Sequence, residues 1–210
     1  MSTRSTLWLI PALLYGAFVY WYTDIGGPLS DAEIDDFMAT MEANGRDPTV
    51  ISFLETFARQ DSGRQFLMVN NIDMNDHPGN VEGANPGETA DDLMGRYMEH
   101  MIPALLARAS HPVMIGSVIY PTMDLVGIEG AERWDQAALF RYRSRRTLLE
   151  IVTHPTFSDK HHFKTAALEK TIAYPIETTL YLSDPRGLLG LLLLAITAIL
   201  DARLSRKNRS

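Results

Sequence analysis

The chain has 210 residues, a formal net charge of −7 and 46% hydrophobic residues, a size that suits one ordinary domain with appendages. The acidic balance weighs against nucleic acid as a partner, because phosphate binding needs clustered Lys and Arg in excess. With no cysteine present, disulfides, thiolate catalysis and Cys-based zinc sites are excluded together.

Leu7 to Tyr22 carries no charge and is apolar all round, so a helix built from it has no water-facing side. Flanking residues extend it from Ser5 to Asp24, twenty residues, enough at about 1.5 Å each to cross a hydrocarbon core of about 30 Å. Trp8, Tyr20, Trp21 and Tyr22 stand where interfacial aromatics belong. A cleaved signal peptide is the alternative, but only Arg4 supplies a positive end and no A-x-A site follows. Residues 1–25 are therefore expected to be an N-terminal transmembrane anchor.

Residues 26–62 read as a helical preface. Ser30 with Glu33 marks a capped helix start, and Ile34, Phe37, Met38 and Met41 form its apolar stripe. A second helix is expected from Thr49 to Arg59, ahead of a turn at Asp61-Ser62-Gly63.

Residues 63–183 read as the main domain. Arg64 to Asp73 is its first strand, followed by a loop rich in Gly, Pro and Asn. Thr89 to Ala109 is the longest helix, with Leu93, Tyr97, Met101 and Leu105 in its buried stripe and Pro103 expected to bend it or end its first half. Pro112 to Asp124 holds the second strand and Trp134 to Arg143 the third. A helix starts at Arg145, is interrupted at His154-Pro155 and resumes from Phe157 to Lys170; Thr171 to Ile176 is the last strand. Strand, helix, strand, strand, helix, strand is the α+β, ferredoxin-like βαββαβ pattern, a four-stranded antiparallel sheet with both helices on one face. The other face needs a cover, and a second copy of the chain supplies one, so a homodimer is expected.

Residues 184–204 form the second expected span, with Gly187 to Leu200 uncharged. A buried core helix is the alternative. Residues 205–210 are a basic tail, and with Arg203 and Arg4 they place both termini in the cytoplasm by the positive-inside rule. The location implied is the inner (plasma) membrane, with the domain periplasmic or extracellular and the lipid bilayer as a partner.

Alternation along the third strand sends Ala138, Phe140 and Tyr142 to one face and Leu139, Arg141 and Arg143 to the other. The apolar set suits the helices. Arg141 and Arg143 would then face the space between two sheets, as binders of an anion; the alternative has Arg143 solvated at the strand end and Arg141 paired with an acid on a neighbouring strand. Asn70 and Asn71 point to opposite faces, so one of them lies near the core or a pocket. Tyr97, His100, His161 and His162 complete the candidate pocket. Asp73, Asp76 and His77 are weighed as a metal group, but no metal is expected, since such loops are usually solvated turns. Arg145 and Arg146 at a helix start call for acids, with Glu99, Glu129, Glu132 and Glu169 at hand. Fingerprints of serine hydrolases, P-loops and dinucleotide-binding folds are missing.

The W-D strand at Trp134, the Tyr142-Arg143-Ser144-Arg145 turn, the helix broken at Pro155, the Ala166-to-Glu169 helix end and M-V-N-N at 68–71 resemble the dimeric α+β barrel superfamily. That superfamily includes antibiotic-biosynthesis-type monooxygenases and muconolactone-isomerase-like proteins, and the likeness is nearest to an uncharacterised family within it. It covers about residues 64–176 and implies fold and dimer more than reaction. It admits a haem ligand at His161 or His162, which no spacing demands, and no cofactor is expected. Two functions follow as expectations. One is a binding or structural module of the membrane, whose partner is a small-molecule ligand or another membrane protein. The other is a cofactor-independent monooxygenase or isomerase acting on a small apolar or anionic molecule, for which Arg141, Asn70 and His161 would have to converge.

Overall fold

The computed structural model describes residues 2–207, the Ser158 side chain excepted; Arg209 of the expected basic tail lies outside the described residues. The chain forms two compact units. One runs from Gly26 to Glu177. The other holds the two terminal helices, α1 (Thr3–Tyr22) and α7 (Pro185–Lys207).

The larger unit begins with α2 (Asp31–Ala43) and α3 (Pro48–Arg59). Ser30 and Glu33 make the reciprocal capping box that their spacing suggested. Ile34, Met38, Met41, Ile51 and Ala58 close a small core against Leu149. Gly63 lets the following turn approach this preface. Its φ is +71°, and a Cβ there would lie 2.8 Å from the Gly27 carbonyl carbon, so no other residue fits.

Then follow β1 (Phe66–Met74), α4 (Ala90–Leu106), β2 (His111–Ser117), β3 (Gln136–Tyr142), α5 (Arg145–Val152), α6 (Pro155–Ala167) and β4 (Leu168–Ile176). The sheet order is β2-β3-β1-β4, with every neighbouring pair antiparallel. This is the expected ferredoxin-like α+β topology. Thr89 and Asp92 cap α4 reciprocally. Leu93, Tyr97, Met101 and Leu105, four apart, pack with Phe66, Tyr142, Leu148, Phe157 and Phe163 in the main core. α4 continues through Pro103 to Leu106.

The interruption at Pro155 is a full helix break. His154 caps α6 by accepting a hydrogen bond from the Thr156 amide, and Pro155 takes the first helical turn, where its missing N–H costs nothing. The helix end expected at Ala166 to Glu169 is corrected: Leu168 and Glu169 already belong to β4, whose pairing with β1 shifts register at Asp73/Met74. Arg145 and Arg146 do meet acids, though not the expected ones. Arg145 lies 3.6 Å from Asp61 and 3.5 Å from Glu177, and Arg146 lies 2.8 Å from Glu33. The pairs with Asp61 and Glu33 tie the preface to α5.

In the smaller unit, Arg4 at the start of α1 pairs with Asp201 of α7 at 2.7 Å. At their other ends, Arg186 donates to Thr23 Oγ1 at 3.1 Å. The helices therefore run antiparallel, and Tyr15 packs tightly over Gly190. Two spanning helices were expected; among the described residues one, α7, is both long and apolar enough to cross a membrane. α1 has the length, 20 residues. Its hydropathy is diluted by Pro11, by Thr3, Arg4, Ser5 and Thr6 of its first turns, and by aromatics with polar tips.

Candidate functional site

A cavity of about 250 Å³ lies between the sheet and helices α4, α5 and α6. Alternation on β1 and β3 brings Met68, Asn70 and Ile72, and Gln136, Ala138, Phe140 and Tyr142, to its floor. Helical spacing on α6 brings Phe157, His161 and Lys164 to one wall, and α4 adds Met94, Tyr97, Met98 and Met101. Ile115, which is exposed, stands on the rim.

The polar groups are few and specific. Tyr97 and Tyr142 are each 7% exposed, and neither hydroxyl bonds another described residue. Burial raises both phenol pKa values, so each remains a neutral donor. Asn70 donates through Nδ2 to the Met68 carbonyl at 3.1 Å, which fixes its amide beside the cavity.

The His161 ring packs edge-on to Tyr97 at 6.1 Å and tilts against Phe157 at 5.2 Å. Burial, aided by the charges of Lys164, Arg46 and His162, lowers its pKa to about 4. It is a neutral imidazole at pH 7, able to accept a proton. Lys164 is half-buried, and its Nζ lies 5.7 Å from the centre of the Tyr97 ring. Desolvation lowers the pKa of its ammonium.

Of the residues expected at a pocket, Asn70, Tyr97 and His161 come together here. Five others lie elsewhere. Arg141 does not face an inter-sheet space: it is fully buried, donating to Gln65 Oε1 at 2.8 Å and to the Ala109 carbonyl. Arg143 is half-buried, with its backbone N–H on Ser110 Oγ at 3.0 Å. Asn71 sits on the opposite sheet face, its carbonyl accepting from Thr171 Oγ1 at 2.8 Å. The His100 ring stands 6.5 Å from that of His154. His162 is exposed, with Nε2 3.0 Å from the Glu82 carbonyl. Lys164 and Tyr142 were not foreseen, although Lys164 follows Phe157 and His161 at helical spacing.

Asp73, Asp76 and His77 line a second, wider groove at the end of the sheet. Asp73 pairs there with Lys170 at 3.4 Å, and among the described residues no three His, Asp or Glu side chains gather as metal ligands.

No family model and no curated protein matches this chain. Among solved structures it is similar to the RPA0582 protein of Rhodopseudomonas palustris, of unknown function, at 18% identity and a TM-score of 0.50, over 64% of this chain and 95% of that one. The methylated form of RPA0582 gives 17% identity and a TM-score of 0.51, over 66% and 95%. A dimeric ferredoxin-like protein of unknown function from Bacteroides fragilis is 16% identical over 54% of this chain and 96% of that one, with a TM-score of 0.32. At such identities the RPA0582 likeness speaks to fold alone.

Proposed function

We propose that this chain is a membrane-anchored module that binds a small, mostly apolar molecule carrying one hydrogen-bonding group in the cavity beneath α4 and α6. The carrying observation is that Tyr97 and Tyr142, both largely buried, line a cavity of about 250 Å³ whose other polar side chains are only Asn70, Gln136, His161 and Lys164. Small-ligand sites are mostly apolar pockets with a few convergent polar groups. Native mass spectrometry of the detergent-extracted protein tests this reading. A defined small molecule should accompany the wild type and be lost from Ala138→Leu, whose side chain fills the floor. A wild-type protein that comes out bare and takes up no benzyl alcohol contradicts it.

The anchor is α7, with α1 as a second, antiparallel span. In support, the charged Arg4–Asp201 pair and the Arg186–Thr23 contact lie at opposite ends of the hairpin, with apolar surface between. Both termini then face the cytoplasm and residues 26–177 lie outside. A homodimer is part of the reading. Val69, Leu139, Ile172 and Tyr174 share the sheet face away from the helices, and none of them is buried. A second copy covers such a face, which analytical ultracentrifugation of wild type against Leu139→Glu checks.

A second reading is favoured by His161. A neutral imidazole beside two phenol donors is the equipment for abstracting a proton next to a carbonyl and holding the enolate oxygen. That is the isomerase or cofactor-independent monooxygenase chemistry of the superfamily the sequence resembles.

A further inference from the structure

We propose that Lys164 is a carbonyl-reactive amine that forms a Schiff base with a small apolar aldehyde or ketone held in the cavity. The inference rests on the small-molecule reading and names the ligand class for that same site.

Three observations carry it. First, Lys164 lines the cavity, and no carboxylate pairs with it among the described residues; its contact is the face of the Tyr97 ring. The other described lysines are placed differently: Lys170 is paired with Asp73, Lys160 lies over Phe163 outside the cavity, and Lys207 ends α7. A lysine drawn into an apolar site without an acid is rare and is the usual setting of a nucleophilic amine. Second, Tyr97 and Tyr142 offer two neutral hydroxyl donors to the same cavity, which is what a carbonyl oxygen requires and a hydrocarbon does not. Third, His161 stands one helical turn before Lys164 on the same wall. Its imidazole is neutral at pH 7 and can relay protons. Desolvation keeps more of the Lys164 amine free than in water.

The step balances within these groups, the ligand and one proton from solvent. The Nζ lone pair attacks the carbonyl carbon, forming the C–N bond. The C=O π pair moves to oxygen, which takes a proton from solvent, giving a carbinolamine still protonated on nitrogen. The nitrogen loses a proton to His161. Protonation of the hydroxyl by the imidazolium then lets the C–O bond break, and one water leaves as the protonated imine forms.

The test uses the full chain in detergent, benzaldehyde as probe and sodium cyanoborohydride as reductant, with peptide mass mapping. The sequence has only four lysines, Lys160, Lys164, Lys170 and Lys207, so assignment is direct. At pH 7.5 Lys164 should gain a benzyl group at least about tenfold faster than the others. Benzyl alcohol, which fills the cavity without a carbonyl, should protect it. Lys164→Arg, which keeps the charge, should lose the fast label and leave the slow labels unchanged. Equal labelling of all lysines while benzyl alcohol still binds overturns the Schiff base and leaves the binding reading intact. Equal labelling with no benzyl alcohol binding overturns both.

Discussion

Lys164 Nζ lies 5.7 Å from the centre of the Tyr97 ring, facing it across a cavity wall with no carboxylate at hand. An ammonium held there has exchanged water for an aromatic face, and its lowered pKa records the cost. Lys164→Met keeps the length and removes the charge, so its melting temperature should exceed that of the wild type at neutral pH while carbonyl capture disappears. Stability at the expense of the site is the expected trade. A lower melting temperature, read by circular dichroism, would mean that the amine supports the fold.

His161 sets a pH dependence of known sign. Its pKa is about 4 in the folded chain, against 6.5 for the free group. Unfolding therefore takes up a proton between these values, and the stability it contributes is complete above pH 6.5 and declines as pH falls toward 4. Glu33 and Glu88 are held at about 2 by Arg146 and Arg96, so their contribution is lost only below their free value of 4.5. Denaturant titrations between pH 7 and 5 should show wild-type stability falling, and a shallower fall in His161→Phe.

Arg141→Ala separates structure from site. The guanidinium is fully buried on Gln65 and the Ala109 carbonyl. Removing it orphans those partners at about 1–3 kcal/mol for each group left unsatisfied. The urea midpoint should drop accordingly, while folded Arg141→Ala should bind benzyl alcohol as the wild type does. Loss of binding at unchanged stability would restore Arg141 to a ligand site.

Membrane topology can be read cleanly because the chain has no cysteine. Asp76→Cys, on an exposed loop, and Ser205→Cys, near the end of α7, each create one thiol. In intact cells a membrane-impermeant maleimide should label Asp76→Cys and spare Ser205→Cys until the membrane is opened. Labelling of both in intact cells contradicts a membrane crossing at α7.

The fold was legible in the sequence wherever local chemistry and periodicity agreed. The Ser30 cap, the Leu93-to-Leu105 stripe and the alternation of Ala138, Phe140 and Tyr142 all stand where the residues put them. Ala-Ala-Leu-Glu has helical propensity, yet pairing with β1 draws Leu168 and Glu169 into β4, a tertiary contact overriding a weak local preference. Arg141 was misplaced for a related reason. Alternation gives a face, but its partners come from 32 and 76 residues away in the chain. At the site, Asn70, Tyr97 and His161 were within reach of strand and helix periodicity. Lys164 was too, once the helical count starts at Pro155 instead of running through it.

The most direct measurement of the central claim is the methyl spectrum of methionine-labelled protein titrated with benzyl alcohol. Four methionines, Met68, Met94, Met98 and Met101, line the cavity, whereas Met38 and Met41 lie in the core of the preface and Met123 is exposed. Saturable shifts at the four cavity methyls, with Met38, Met41 and Met123 unmoved and the response lost in Ala138→Leu, are the expected result. Shifts spread over all methyls, or none at the four, would contradict a ligand site in this cavity.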